Sequence, residues 1–237
     1  MARLPTAVVF DLDGTLIDSA SDLHTAAARL LAEEGLPPPS LAAVRGMIGE
    51  GVGRLVERLF AAADTPRGAA ELERLTERFR ALYLERACVA TELLPGARTA
   101  LQALAEAGHR LGLCTNKPGR HTGVILETLG ITPLLPVVVA GDSLPVRKPD
   151  PAPLLLALDR LGVPPERSLF VGDSAIDART ARAAGTGLVL VDGGYAHEPL
   201  AALAPDVLIP TLKALPAAVA AWVPALASTG QRAGSGR

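Results

Sequence analysis

The chain has 237 residues and a formal net charge of -2 at pH 7, so its charge gives no reason to expect a nucleic acid or an acidic membrane as a partner. Hydrophobic residues make up 49% of the sequence and charged residues 20%, a balance typical of a globular protein with a sizeable core. The two cysteines, Cys88 and Cys114, are too few for a disulfide framework. We therefore expect reduced thiols in a cytoplasmic protein.

No stretch of the sequence predicts a targeting or membrane segment. Residues 1–10 lead directly into a first strand, which predicts that no secretory signal precedes the fold. The longest apolar stretch, residues 214–227, is too short for a bilayer span and contains two prolines. We expect it to form a closing helix on the core.

The most informative stretch is residues 7–15, AVVFDLDGT. Its apolar run predicts a strand buried on both faces, as in a parallel sheet covered by helices. Asp11 and Asp13 stand two residues apart, so their side chains leave an extended backbone on the same side. Two carboxylates this close repel each other unless a cation lies between them, and oxygen ligands suit Mg²⁺. Thr15 offers a hydroxyl and an N–H group to an anion.

A long helical segment follows, because no strand-like run interrupts residues 17–91. A crossover between parallel strands needs a single helix of about a dozen residues, so this segment is far too long for that task. It predicts an inserted all-helical domain. The predicted division assigns residues 1–17 and 92–237 to an α/β core and residues 18–91 to the helical domain.

Regular alternation of strands and helices then resumes. After the first strand, the predicted strands are residues 110–114, 137–139, 168–171 and 187–191, with a small edge strand at 207–209. Strands joined by helical crossovers predict the fold class α/β, with a doubly wound parallel sheet.

Polar residues follow successive predicted strands. Thr115 and Asn116 come after the second strand, Lys148 lies in the loop beyond the third, and Asp173 and Asp177 follow the fourth. Ligands bind beyond the carboxyl ends of the strands in such a sheet, so these groups and the first two aspartates converge on one edge. They predict a joint site for a divalent metal and a phosphate.

Lys148 carries a separate argument. The chain has only three lysines among 23 basic residues, so a retained lysine is expected to have a specific task. A compact ammonium suits a single phosphate oxygen beside a carboxylate, where a planar guanidinium does not fit. Asp173 and Asp177 could simply interact favourably with the positive end of a helix dipole. Because they are expected beside Asp11 and Asp13, we interpret them as further metal ligands that bind directly or through water.

These motifs resemble, in order and spacing, the four motifs of the haloacid dehalogenase superfamily. The resemblance covers essentially the whole chain, and the helical insertion resembles that superfamily's cap domain. It implies that Asp11 is the nucleophile of a phosphatase that forms an aspartyl-phosphate, and that Asp13 is its acid and base.

The resemblance also implies the ligands. Mg²⁺ would be held by Asp11, the backbone carbonyl of Asp13 and Asp173, with Asp177 in support. The transferred phosphoryl group would be held by Thr115, Asn116 and Lys148.

Three other activities of the superfamily fit less well. Its dehalogenases lack the carboxylate that this chain has at Asp13, its phosphonate hydrolases use a cap lysine, and its ion pumps need membrane spans. No lysine precedes Lys117 in this sequence. A phosphohexose mutase shares the motifs and stays open.

The cap is expected to choose the substrate, because it closes over the leaving group. Its candidate contacts are Glu50, Gly51 and Arg54 in a glycine-rich loop, and Arg45 is a further candidate for a substrate carboxylate.

Three runs are similar to bacterial phosphoglycolate phosphatases: residues 11–22, residues 44–59, and Gly193 to Tyr195 with Glu198 to Leu200. This similarity implies 2-phosphoglycolate as substrate, with sugar phosphates, pyrophosphate and nucleotides as competitors. A phosphorylatable receiver-like regulatory domain is the alternative that is not an enzyme. The oligomeric state stays open.

Overall fold

A six-stranded parallel sheet is the centre of the computed structural model, which describes residues 6–196 and 198–230. The order of its strands is β5-β4-β1-β6-β7-β8, and β2 and β3 form a separate antiparallel pair. The strands are β1 (Ala7–Phe10), β2 (Ile17–Asp18), β3 (Glu92–Leu93), β4 (Arg110–Cys114), β5 (Val137–Val139), β6 (Ser168–Gly172), β7 (Gly187–Val191) and β8 (Val207–Ile209).

Helices cover both faces of this sheet. The helices are α1 (Ala20–Glu33), α2 (Leu41–Arg45), α3 (Val52–Ala62), α4 (Ala69–Leu84), α5 (Ala97–Glu106), α6 (Gly119–Thr128), α7 (Ala152–Leu161), α8 (Ala175–Ala184) and α9 (Leu215–Gly230). One apolar cluster joins the sheet to α5, α6 and α9, and a second joins the opposite face to α7 and α8. The doubly wound parallel sheet predicted from the sequence is confirmed.

Helices α1 to α4 contain a third apolar cluster, separate from the two that flank the sheet. Leu30, Phe60, Phe79 and Tyr83 are fully buried in it. These helices bury their apolar faces mainly against one another, which is the arrangement expected of an inserted helical unit. The boundaries at residues 18 and 91 stay a prediction.

The prediction that no strand interrupts residues 17–91 is wrong at its first residues. Ile17 pairs with Leu93 and Asp18 with Glu92, so β2 and β3 form a two-residue ribbon where the chain leaves the sheet and returns to it. Strands of two residues show no periodicity, and their pairing depends on partners 74 to 76 positions away in sequence.

The last helix, α9, lies against the sheet as predicted for residues 214–227, with Leu215 and Val219 fully buried. Trp222 packs against the same cluster. Within the part of the chain that the structure describes, no helix has the length and apolar character that a bilayer span requires.

Candidate active site

Three buried carboxylates meet at the carboxyl edge of the sheet. Asp11 directly follows β1, Asp173 directly follows β6, and Asp177 lies in the first turn of α8. One oxygen from each lies within 4.8 Å of the others. Strands β1 and β6 are adjacent and parallel, so their carboxyl ends bring the first two aspartates together. Three of the four aspartates predicted to gather here therefore form one spatial group, while the Asp13 side chain pairs with Lys117.

Two of the three carboxylates, Asp173 and Asp177, accept hydrogen bonds from neighbouring donors. Thr15 Oγ1 donates to Asp173 Oδ1 at 2.8 Å, and the N–H of Tyr195 donates to Asp173 Oδ2 at 2.7 Å. Asp177 Oδ2 accepts from Ser174 Oγ at 2.6 Å, within a capping box that begins α8. These hydrogen bonds fix the orientation of Asp173 and Asp177 before any ligand binds.

The Lys148 ammonium lies between two of these carboxylates. Its Nζ is 2.9 Å from Asp11 Oδ1 and 2.7 Å from Asp177 Oδ1, and its side chain is almost completely buried. Burial opposes the charge on Lys148, but the carboxylates of Asp11 and Asp177 outweigh burial and raise its pKa. The Lys148 side chain therefore stays protonated at neutral pH.

The cluster carries more negative charge than Lys148 balances. Burial, with the neighbouring charges of Asp177 and Asp13, raises the pKa of Asp11 to about 6 in spite of Lys148. Burial and the charges of Asp177 and Asp11 raise the pKa of Asp173 to about 8. When all three are ionised, three carboxylates and one ammonium leave a net charge of two negative units, which a divalent cation would neutralise.

The donor set fits a divalent metal. The buried Asp11 Oδ1 contacts the Lys148 ammonium at 2.9 Å and no other donor among the described residues, so it keeps a lone pair for a ligand. All the candidate ligand atoms are oxygens, the type that hard divalent cations prefer. Residues Asp11 and Asp173 would hold such an ion, with Asp177 beside them.

The predicted phosphate ligands lie around this cluster in different ways. Thr115 follows β4 and lines the cavity above Asp11. Asn116 uses its side-chain amide on the backbone: Nδ2 donates to the carbonyls of Lys148 at 3.0 Å and Gly49 at 3.1 Å, and Oδ1 accepts from the Lys148 N–H at 3.0 Å. The Asn116 side chain therefore fixes the backbone that carries Lys148.

A second buried ion pair lies beside the first, and the sequence analysis missed it. Lys117 Nζ contacts Asp13 Oδ1 at 2.7 Å and Oδ2 at 3.0 Å. Ser19 Oγ also donates to Asp13 Oδ1, at 2.5 Å. Lys117 immediately follows Thr115 and Asn116 and is one of three lysines, so the argument used for Lys148 would have identified it.

Two cavities open onto Asp11 and Asp13. The inner cavity is lined by Asp11, Asp13, Leu23, Ile48, Gly49, Gly51, Val52, Leu55, Tyr83, Thr115, Asn116 and Lys117. The outer cavity is lined by Asp11, Asp13, Gly46, Ile48, Gly49, Glu50, Arg58, Asp173, Ser174, Ala175, Ile176, Arg179, Tyr195, Ala196 and Glu198. Both lie where helices α1 to α4 meet the edge of the sheet.

Only some of the predicted cap residues line a cavity in the structure. Glu50 lines the outer cavity and pairs with Arg58, and Gly51 lines the inner cavity at the start of α3. Arg54 lines neither cavity: its side chain is half exposed and pairs with Glu57 at 2.5 Å and with Glu50 at 3.8 Å. Arg45 pairs with Asp18 instead of facing either cavity. Arg58, which the sequence analysis did not select, lines the outer cavity where Arg54 was expected. It lies one helical turn further along α3.

The haloacid dehalogenase-like hydrolase family model matches residues 5–185, more than half of the chain. The chain belongs to this family of hydrolases. This hydrolase is 47% identical over 205 residues to the phosphoglycolate phosphatase of Rhodospirillum rubrum, covering 84% of this chain and 85% of that protein. It is 42% identical over 220 residues to the phosphoglycolate phosphatase of Pseudomonas putida, covering 90% and 79% of the two chains.

Solved structures share the fold of this hydrolase. A predicted phosphoglycolate phosphatase from Haemophilus somnus superposes with a TM-score of 0.84 at 33% identity, covering 89% of this chain and 96% of that chain. A β-phosphoglucomutase from Clostridium difficile superposes with a TM-score of 0.75 at 19% identity, covering 90% and 93%, which is a likeness of fold alone.

Proposed function

We propose that this hydrolase is an Mg²⁺-dependent phosphomonoesterase that hydrolyses 2-phosphoglycolate to glycolate and phosphate. The observation that carries the proposal is the buried Asp11 Oδ1, which contacts the Lys148 ammonium at 2.9 Å and no other donor among the described residues, while Asp11 lines both cavities. A carboxylate oxygen kept free beside a cation is suited to attack phosphorus. The names of the relatives at 42% and 47% identity support the choice of substrate.

The first chemical step uses Asp11 and Asp13. An oxygen of Asp11 forms a bond to phosphorus while the bond from phosphorus to the ester oxygen breaks, which leaves a phosphorylated Asp11. Asp13, two residues along and facing the inner cavity, gives its proton to the departing alkoxide. The products of this step are glycolate and an aspartyl-phosphate.

In the second step, Asp13 takes a proton from water as that water attacks the aspartyl-phosphate. The bond between Asp11 and phosphorus breaks, phosphate leaves, and both aspartates return to their starting protonation states. Mg²⁺, held by Asp11, Asp173 and the backbone carbonyl of Asp13 with Asp177 in support, would neutralise negative charge on the phosphoryl oxygens when bound.

We infer that backbone and side-chain donors would hold the phosphoryl group. Among the described residues, no backbone carbonyl accepts from the N–H groups of Leu12, Asp13 and Asn116. With the Thr115 hydroxyl and the Lys148 ammonium, these groups are available to an anion above Asp11. Donors placed before the reaction stabilise the transition state without reorganisation during the step.

We propose that residues 18–91 act as a cap that closes this site. Their helices supply Leu23, Gly51, Val52, Leu55 and Tyr83 to the inner cavity, and the sheet supplies the aspartates. When the helices close against the edge of the sheet, water is excluded from the aspartyl-phosphate until the leaving group departs. The cytoplasmic location predicted from the sequence stays a prediction.

The direct test is release of phosphate from a panel of esters: 2-phosphoglycolate, a hexose phosphate, pyrophosphate and a nucleoside monophosphate. We expect 2-phosphoglycolate to have the highest kcat/KM and all turnover to stop when EDTA removes the metal. A hexose phosphate as best substrate, or its conversion to an isomer, would favour the mutase instead. A single burst of phosphate without turnover would favour a receiver-like domain.

Gly194→Ala is expected to weaken metal binding. A Cβ at Gly194 would lie 2.3 Å from Asp173 Oδ2 and 2.4 Å from Asp173 Cβ, so the carboxylate must shift. Isothermal titration with Mg²⁺ is expected to give a Kd raised about tenfold or more, since positioning of ligands typically contributes that factor. Gly53→Ala is the matched control, because a Cβ there meets nothing within 4 Å. Equal metal affinity in the two variants would contradict the assignment of Asp173 as a ligand.

A further inference from the structure

The Tyr83 side chain lines the inner cavity, and its buried hydroxyl is not fully hydrogen-bonded. Tyr83 lies on α4 and is fully buried, and among the described residues its hydroxyl interacts with the Lys117 side chain but makes no hydrogen bond of ordinary geometry. Its ring stacks on His121 with centroids 5.0 Å apart and planes inclined by 12°, so its direction is fixed. Buried hydroxyls are nearly always satisfied in native proteins, which indicates that this one is kept for a ligand.

Lys117 lies beside this hydroxyl. Its Nζ is 4.9 Å from the centre of the Tyr83 ring, and its side chain is almost completely buried. Burial opposes its charge, but Asp13 and Tyr83 outweigh burial and raise the pKa of Lys117. An ammonium has three donors: Lys117 contacts both oxygens of Asp13, and its remaining donor lies on the side of Tyr83, where a ligand oxygen could bind to both side chains.

The remaining walls of the inner cavity are suited to a small group. Leu23, Val52 and Leu55 form an apolar side. The cavity volume is about 30 Å³, against about 240 Å³ for the outer cavity. This is room for about two water molecules, which excludes a sugar or a nucleoside while the cavity keeps this shape.

We propose that Tyr83 and Lys117 form the binding site for a carboxylate on the leaving group of the substrate. The hydroxyl and the free N–H of the ammonium donate to the two oxygens of one carboxylate, placed beside Asp13 on the side of the leaving group. The inference rests on the proposed function and extends it. In this proposal Tyr83 of the helical insertion and Lys117 of the α/β core together select a short phosphorylated acid over a neutral phosphate ester.

The experiment compares two esters of equal chain length, 2-phosphoglycolate and 2-hydroxyethyl phosphate, which differ in the carboxylate. The readout is the ratio of their kcat/KM values. In Tyr83→Phe we expect this ratio to fall about tenfold, with kcat/KM for 2-hydroxyethyl phosphate changed less than about threefold, because a hydrogen bond to a charged group is lost only with the acid. The Ki of glycolate as a product inhibitor is expected to rise by a similar factor.

Tyr195→Phe is the matched control. Tyr195 is the other tyrosine of the chain and lines the outer cavity, where its hydroxyl donates to Asp18 at 2.8 Å. Its removal is expected to leave the ratio unchanged. Lys117→Met is expected to lower turnover of both esters, because Asp13 loses its partner, and to lower the ratio as well. Thermal unfolding checks that each variant is folded.

The outcomes separate the two proposals. If Tyr83→Phe keeps the wild-type preference for 2-phosphoglycolate and the Ki of glycolate is unchanged, the carboxylate site is overturned. The proposed function then still stands. Equal turnover of both esters by the wild type also overturns the site. Absence of turnover with either ester overturns the proposed function and the site with it.

Discussion

Asp11→Asn is expected to reduce steady-state phosphate release by about 10³-fold or more, because the amide replaces the oxygen that attacks phosphorus. The substitution also removes one negative charge from the group of three carboxylates, so the folded protein is expected to lose no stability. The two effects together distinguish a chemical role from a structural one, since loss of a structural aspartate would lower both activity and stability.

The measurement is phosphate release under saturating 2-phosphoglycolate, with acid quenching to trap phosphorylated protein. Wild-type enzyme is expected to show an acid-stable, base-labile phosphoryl group that Asp11→Asn lacks. Asp192→Asn is the matched control: Asp192 follows β7, two strands from β1 at the same edge of the sheet, is exposed, and among the described residues accepts from the N–H of Gly193. Turnover in Asp11→Asn at the level of this control would exclude Asp11 as the nucleophile.

Lys148→Met is expected to lower both activity and stability. The ammonium contacts Asp11 at 2.9 Å and Asp177 at 2.7 Å in a buried site, and removal of one partner leaves carboxylates uncompensated. Breaking a buried pair in this way typically costs about 3–5 kcal/mol of the free energy of unfolding. Loss of a preorganised charge beside the phosphoryl group typically lowers kcat by about 10²–10³-fold.

Metal separates the two roles of Lys148. A divalent cation neutralises the carboxylates that the variant leaves unpaired, so saturating Mg²⁺ is expected to restore part of the stability of Lys148→Met and little of its kcat. Denaturant unfolding with and without Mg²⁺ measures the first effect. Lys213→Met is the control, because Lys213 is exposed and such surface substitutions change stability by about 0.5 kcal/mol at most. Full recovery of kcat with metal would show that the ammonium serves the fold alone.

Local patterns predicted most of the sheet. Strands at residues 110–114, 137–139 and 187–191 agree with the structure to the residue, because apolar runs bounded by glycine, proline and polar turns are typical of strands buried on both faces. The ribbon of β2 and β3 was not predicted, because its two-residue strands are defined only by pairing across the helical insertion.

The same division holds for the site. The positions of Asp11, Asp173 and Asp177 follow from the sequence because carboxyl ends of parallel strands share one edge, and the structure brings their oxygens within 4.8 Å. The contacts of the cap do not follow, because the direction of a side chain on α3 depends on which helical turn faces the sheet. Arg54 was predicted at the cavity, and Arg58 lies there.

The sequence by itself determined the parallel sheet, the helical insertion and the acidic cluster, since each depends on local order and on the rule that connects strands to one edge. Only the tertiary structure decided which charges pair. It placed Lys117 on Asp13 and brought Tyr83 from a helix of the insertion to the same cavity, because these contacts join segments 34 to 104 positions apart whose approach depends on packing.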